Sequence, residues 1–327
     1  MNRLSVLSEL IEATDDSAVF FANGIGDCVL ALPTLRALTW RFPNKLGLIT
    51  AEKAPLFLFR DLAFRSIDTI SIRGSNEGHQ VSVQSNPAAA SVLFSIVPWT
   101  NASLESLFGR LGVRLLVSHF KADVQIQFTE HLHAFDMPFT FTSILDSSLD
   151  IEAFSQSIRF SEESIQFARE LRSCSLGARP IATLHLDTHP GKMLPEPLGR
   201  LLVERLATQF PAIQFLLIGS ERLTAMAVPC DIVYVLECTD LEYVMAAVAE
   251  SDFFVGYDSC FLHVADICDV PGVGLFISTE PGEFGFRFQK ESINLHLREK
   301  GAREVLSEVT QAVKQICRFS SFDQTTL

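Results

Sequence analysis

The chain is 327 residues long, with 48% hydrophobic and 20% charged residues, room for two domains of ordinary size and a balance that excludes general disorder. Its formal net charge of −13 argues against a non-specific nucleic-acid binder and against a polyanionic acceptor. Seven cysteines, at 28, 174, 230, 238, 260, 268 and 317, form no C-x-x-C pair and are odd in number, so neither a zinc knuckle nor a disulfide framework is indicated.

The N-terminal stretch M-N-R-L-S-V-L-S-E-L-I-E-A-T-D-D carries two glutamates and two aspartates and lacks a signal-type apolar core. No stretch reaches the ~18 uninterrupted apolar residues of a membrane span. A reducing cytoplasm is the expected home, with no membrane span. Leu4 to Ala13 reads as a short amphipathic helix, and Ser17 to Ala22 as a buried strand ending in Asn23-Gly24-Ile25-Gly26-Asp27. A helix is expected from Asp27 to about Phe42, kinked or restarted at Pro33. Gly24-x-Gly26 suits a mononucleotide-type turn and is not a dinucleotide fingerprint, because Val29 stands where the third glycine belongs. Asp27 at the helix start is either a plain cap or a group with chemistry to do.

Strands are expected at Leu46–Thr50, Ile67–Ile72, Val92–Val97 and Val124–Phe128, with helices near Pro55–Phe64 and Asn101–Leu111 between them. Such alternation implies a parallel sheet. Gly74 to Pro87 reads as a long crevice-side loop, and His131 and His133 lack the convergent carboxylates or cysteines of a metal site. Ser161–Arg172 reads as a helix and 173–180 as an interdomain linker, giving domains 1–172 and 173–318 and a tail 319–327.

The second half repeats the pattern. Ile181–Leu186 is a strand, followed by the polar loop of Thr188 and Lys192, a helix Leu198–Phe210 and a strand Ile213–Ile218 that ends in Gly219-Ser220-Glu221. A helix Leu241–Glu250 then leads into S-D-F-F-V-G-Y-D-S-C-F-L-H-V-A-D-I-C-D-V-P-G-V-G-L-F, which reads as strand, tight turn, helix and strand. A last strand is expected at Ile293–Leu297 and a last helix at Ala302–Ile316. In a doubly wound sheet the turn leaving a strand's carboxyl end faces the ligand crevice, and the helix after it offers unpaired N–H groups there. Asp258 and Ser259 therefore stand where a phosphate or sugar would be held, with His263 either beside them or an ordinary core histidine.

The run G-I-G-D-C-V-L-A-L-P-T-L-R-A-L-T-W-R-F-P from Gly24, and Asp258-Ser259-x-x-x-His263 followed by an alanine, resemble the G-x-G-D…P-x-L-R and D-(S/T)-G-x-x-H-x-A segments of glycosyltransferase family 9, the heptosyltransferases. The resemblance implies an α/β protein of the GT-B class, two facing Rossmann-like domains with parallel sheets, the first binding the acceptor and the second a nucleotide-sugar. It implies inverting transfer without a bound metal or other cofactor, the nucleoside-diphosphate sugar (ADP-heptose in the heptosyltransferases) being the donor and a small or glycan hydroxyl the acceptor. Asp27 becomes the candidate base, and Asn23, Gly24 and Gly26 the acceptor-side crevice loop. Thr188, Lys192, Glu221, Asp258, Ser259 and His263 become the donor-side set, with Lys192 neutralising the diphosphate. Glu221 comes about two residues early for the family's ribose-binding glutamate. Cys260 replaces the family's glycine, at a helix N-terminus that can make a thiol unusually acidic, and Cys28 beside Asp27 raises the same question; of the two readings, structural inertness of both thiols is preferred. Two other readings stay open: an epimerase-like nucleotide-sugar enzyme on the same fold, and a catalytically silent member binding a nucleotide-sugar or a protein.

Overall fold

The computed structural model describes residues 9–319 except 10, 13, 15, 76–77, 83–88, 98, 128–131, 177–178, 220–229 and 238–239. The expected helix Leu4–Ala13 lies largely outside the described residues; His131, Glu221 and the tail from residue 320 lie wholly outside them. The chain forms two compact units, 1–155 and 156–327.

In the first unit the strands are β1 (Ser17–Phe21), β2 (Leu46–Ala51), β3 (Ser66–Ser75), β4 (Gly78–Ser82), β5 (Val92–Ser95), β6 (Leu115–Ser118) and β7 (Val124–Gln125). They form one sheet in the order β4-β3-β2-β1-β5-β6-β7. Every pairing is parallel except β3 with β4. β1 is buried at all its residues, as befits a central parallel strand covered on both faces, which is why it reads as an unbroken apolar run. The helical stretch after β1 is two helices, α1 (Ile25–Leu30) and α2 (Leu32–Arg41), meeting at Ala31 with Pro33 in the first turn of the second. Proline is tolerated there and not one turn deeper, so the restart expected at Pro33 is the form the chain takes. The stretch from Gly74 is not one long loop: β3 runs on to Ser75 and β4 returns beside it, pairing Ile72 with Val81. Helices α3 (Ala102–Arg110) and α4 (Asp136–Leu145) also belong to the unit.

The second unit begins before the expected linker. Helix α5 (Glu162–Glu170) belongs to it, packed on α7 (Leu241–Ala249), which follows α6 (Glu196–Gln209) among the described helices. Phe167 meets Tyr243 with ring centroids 5.1 Å apart, the Ser161 N–H donates to Glu242 Oε1 at 2.6 Å, and Arg172 forks onto both Asp252 oxygens at 2.9 Å. The division falls at 155 and not at the expected 172 because these two expected helices pack on each other, a contact that the sequence does not announce. Its strands are β8 (Ile181–His185), β9 (Gln214–Leu217), β10 (Val233–Val235), β11 (Phe253–Tyr257), β12 (Gly272–Phe276) and β13 (Ile293–His296), in the all-parallel order β10-β9-β8-β11-β12-β13. Helices α8 (Cys260–Ile267), α9 (Pro281–Phe284) and α10 (Ala302–Phe319) follow. The buried side of α10, Val305, Val309, Ala312, Val313 and Ile316, enters the core with Val255, Val273 and Leu275 of the sheet. β11 and β8 approach closely at Gly256, where a Cβ would stand 2.8 Å from the His185 carbonyl oxygen and 2.6 Å from the Phe254 ring. Only glycine fits that position without moving backbone. These are two Rossmann-like α/β units in one chain, the content of the GT-B class.

Candidate active site

Each sheet has one point at which successive strands turn to opposite sides, and loops at the carboxyl ends of the flanking strands are where α/β proteins bind ligands. In the first unit this point lies between β1 and β5. The loops leaving them are tied together, Trp99 Nε1 donating to Asn23 Oδ1 at 3.1 Å. Gly24 is extended and caps α1, and its N–H donates to Asp27 Oδ2 at 3.1 Å. Asp27 is therefore a cap in the folded chain, half-buried at the switch point of its sheet. Gly26 lies in the same first turn.

In the second unit the point lies between β8 and β11. The loop after β8 makes a short turn, Pro190–Lys192, in which His189 Nδ1 accepts the Gly191 N–H at 3.3 Å and the His189 carbonyl accepts the Lys192 N–H at 2.8 Å. Tyr257, at the end of β11, accepts the Leu194 N–H at 3.2 Å through its hydroxyl, which anchors the loop; burial pushes that phenol up. Lys192 Nζ lies 2.6 Å from Asp258 Oδ2, and His263 Nε2 lies 3.7 Å from the other Asp258 oxygen. Asp258 and His263 are each 3% exposed while the Lys192 side chain is 35% exposed. The carboxylate is inside and the ammonium reaches water. Lys192 Nζ also stands 5.7 Å from the centroid of the Phe284 ring, within cation–π range.

Ser259 is the N-cap of α8 by position, yet its hydroxyl makes no cap and instead lies 3.0 Å from His185 Nδ1. Burial holds His185 down at about 4, with Asp187 acting the other way, so this imidazole is neutral at pH 7. Cys260 agrees with the inert reading: burial pushes its thiol up to about 12, the N–H of Phe261 and its own pulling the other way. His133 accepts the Phe135 N–H at 3.2 Å and stacks on that ring, a turn-forming role. Among the described residues no three His, Cys, Asp or Glu side chains are placed to hold a metal ion.

Of the residues singled out from sequence, the second unit brings together Lys192, Asp258, Ser259 and His263, with half-buried Thr188 on the loop that carries Lys192. Asn23, Gly24, Gly26 and Asp27 share the turn after β1 in the first. Sequence reading missed His185, Tyr257 and Phe284. His185 and Tyr257 sit inside or at the end of apolar strands, where nothing marks them until β8 and β11 pair.

A family model described as glycosyltransferase family 9 (heptosyltransferase) matches residues 202–312, the segment carrying Asp258, Ser259 and His263. No curated protein sequence matches the chain. The fold matches solved structures over nearly its whole length. A family 9 glycosyl transferase from Veillonella parvula superposes with a TM-score of 0.73 at 16% identity, covering 92% of this chain and 97% of that one. The E. coli heptosyltransferase WaaC with ADP gives 0.65 at 19% identity, covering 93% and 99%. E. coli ADP-heptose LPS heptosyltransferase II gives 0.65 at 14% identity, covering 93% and 100%. The matched segment of the second unit is thus similar to family 9 glycosyltransferases, and the fold of the chain is the one that these solved structures share.

Proposed function

We propose that the protein moves a heptose or other hexose-like sugar from a nucleoside-diphosphate donor to an acceptor hydroxyl, inverting the anomeric centre without a bound metal. The observation that carries this reading is the Lys192–Asp258 pair at the switch point of the second sheet: a buried carboxylate holding a part-exposed ammonium 2.6 Å away. Departure of a nucleoside diphosphate places negative charge on the bridging phosphate oxygen, and a fixed cation at that place stabilises the charge as it forms. Asp258 keeps the ammonium in place before substrate arrives, so little reorganisation is needed during the reaction. The α8 N-terminus, which Ser259 leaves uncapped by turning to His185, adds partial positive charge beside it.

The other half of the chemistry falls to Asp27. As the acceptor oxygen bonds to the anomeric carbon, the bond from that carbon to the phosphate oxygen breaks, and the hydroxyl proton passes to the Asp27 carboxylate. One in-line displacement inverts the centre. In this reading the first unit binds the acceptor around Asn23, Gly24 and Gly26, and the second binds the donor, with Thr188 near the sugar or phosphates. The chain's net charge of −13 favours a small or neutral glycan acceptor over a phosphorylated one. No described helix is long and apolar enough to cross a membrane, and the proposed setting is the cytoplasm, where nucleotide-sugars are available.

The test is turnover of a panel of ADP-, UDP- and GDP-linked sugars against neutral glycoside acceptors, with product stereochemistry read by NMR and EDTA present in parallel. Inverted product insensitive to EDTA is the expected result. Retained configuration, loss of turnover in EDTA, or no turnover of any donor would each overturn the reading.

A further inference from the structure

The crossover from β12 to β13 passes through α9 and returns along residues 285–292. Along this return three consecutive N–H groups are taken by one carboxylate. The Arg287 N–H donates to Asp266 Oδ2 at 2.7 Å, and those of Phe288 and Gln289 donate to Oδ1 at 2.9 and 2.8 Å. Asp266 is 0% exposed, inside the otherwise largely apolar helix α8. A carboxylate there is costly unless its acceptor capacity is filled, and here three backbone N–H groups fill it, with the charge of Arg287 acting in the same direction. The neighbouring residues are equally constrained. Asn294 Oδ1 accepts the Phe286 N–H at 3.1 Å, and a Cβ on Gly285 would overlap the Pro281 carbonyl oxygen and the Asn294 amide. The arc 285–289 is thus fixed at one end by Asn294 and at the other by Asp266, and Phe284, whose ring faces Lys192 Nζ at 5.7 Å, is the residue from which it springs.

We propose that Asp266 is a positioning residue for the donor site: by gathering the backbone of 287–289 it holds the Phe284 ring against the Lys192 ammonium and so sets where that cation stands for a nucleoside diphosphate. The inference rests on the reading of Lys192 as a donor ligand. Asp266 touches no reacting atom; it acts through α9. Two anchors hold the ammonium in place, Asp258 from inside and Phe284 from the side, and only the second depends on Asp266.

The experiment is calorimetric titration of the full chain with ADP, UDP and GDP, followed by donor kinetics, on Asp266→Asn, Asp266→Ala, Phe284→Leu, Lys192→Ala and the Asp266→Asn/Phe284→Leu pair. For whichever diphosphate the wild type binds best, Asp266→Asn is expected to raise Kd and donor KM about tenfold, the scale of a lost cation–π contact plus a weakened hydrogen bond, and to lower kcat at saturating donor by less than Lys192→Ala does, because the cation is displaced and not removed. Asparagine keeps one acceptor oxygen, so it should sit between wild type and alanine. Phe284→Leu should match it, and the pair should lose no more than the larger single loss, because both act on one contact. Wild-type affinity in Asp266→Asn, with Lys192→Ala impaired, overturns the proposal alone. Losses that simply add in the pair also overturn it, since Asp266 would then act through the fold and not through Phe284. Wild-type affinity in Lys192→Ala, or no binding of any diphosphate to the wild type, overturns the donor reading beneath it. Asp266→Asn and Phe284→Leu keep the test decisive if Asp266→Ala fails to fold.

Discussion

Replacing Lys192 with alanine should have two separable consequences, because the ammonium serves a buried carboxylate and, in the proposed reading, an incoming diphosphate. Asp258 is 3% exposed and its Oδ2 lies 2.6 Å from the ammonium. Removing the cation leaves that oxygen without its charge partner, a loss of roughly 1.5–3 kcal/mol for a charge-assisted bond. The Lys192 side chain is 35% exposed, so water can enter the gap, and about 1–2 kcal/mol is the better expectation after solvent screening. For a unit of 150–250 residues that lowers Tm by roughly 3–6 °C. The second consequence is in binding: loss of the cation should weaken the nucleoside diphosphate by about 1.5–3 kcal/mol, roughly 10- to 150-fold in Kd. Adding Asp258→Asn to Lys192→Ala separates the two, since with no buried charge left the stability should largely return while affinity stays low. Calorimetry and thermal melts on the single and double variants decide it. If the Kd of Lys192→Ala equals that of the wild type, the lysine exists for Asp258 and the donor role is refuted.

Asp27→Asn keeps an oxygen to accept the Gly24 N–H, now bonded to Asp27 Oδ2 at 3.1 Å, so Tm and diphosphate Kd should hold. With the basic lone pair gone, kcat should fall on the order of 10²–10⁴; turnover above a tenth of wild type would place the base elsewhere. Burial holds His185 down at about 4 from its ordinary 6.5, so below pH 6.5 the unfolded chain takes up a proton that the folded chain refuses. Its contribution to stability is whole above pH 6.5, falls as pH drops toward 4, and amounts to about 3 kcal/mol over that window. Asp266, which burial pushes up to about 6, acts in the opposite sense over nearly the same range, so the wild-type profile alone would conceal both. The quantity to measure is the urea-unfolding difference between wild type and His185→Asn at pH 7 and pH 4.5, and a difference independent of pH would show that His185 is not held neutral by the fold.

What was legible in the sequence was whatever burial writes into residue type. β1 and β11 are buried at every residue, so Ser17–Phe21 and Phe253–Tyr257 stand out as apolar runs cut short by Gly, Asn or Asp. β4 was not legible because Gly78–Ser82 is a polar edge strand, which needs apolar residues on one face at most. Helix α4 was obscured by Pro138 in its first turn and by alternating Phe and Thr, residues that favour strands when read locally. The domain boundary was drawn at the Gly- and Pro-bearing stretch 173–180, whereas the division follows the packing of α5 on α7, a contact between residues about 80 apart in the chain such as Ser161 and Glu242.

The site divides along the same line. Lys192, Asp258, Ser259 and His263 stand in loops and at a helix start, where a polar residue after an apolar run is itself a signal. His185, Tyr257 and Phe284 were silent because an aromatic or imidazole ring within an apolar stretch reads as core, and their roles exist only once β8 lies beside β11 and α9 reaches the Lys192 loop. Asp266 is the instructive intermediate. A carboxylate among Phe261, Leu262, Val264, Ala265 and Ile267 is a visible breach of the apolar pattern, and a buried charge must find partners. That it is buried is shown by the structure, and its partners are silent in the sequence because the three N–H groups of 287–289 belong to backbone and leave no mark on residue type. Side chains that bind side chains leave a trace in composition at both ends of the contact; side chains that bind backbone leave it at one, and the connection between α8 and the loop beside Lys192 is of that second kind.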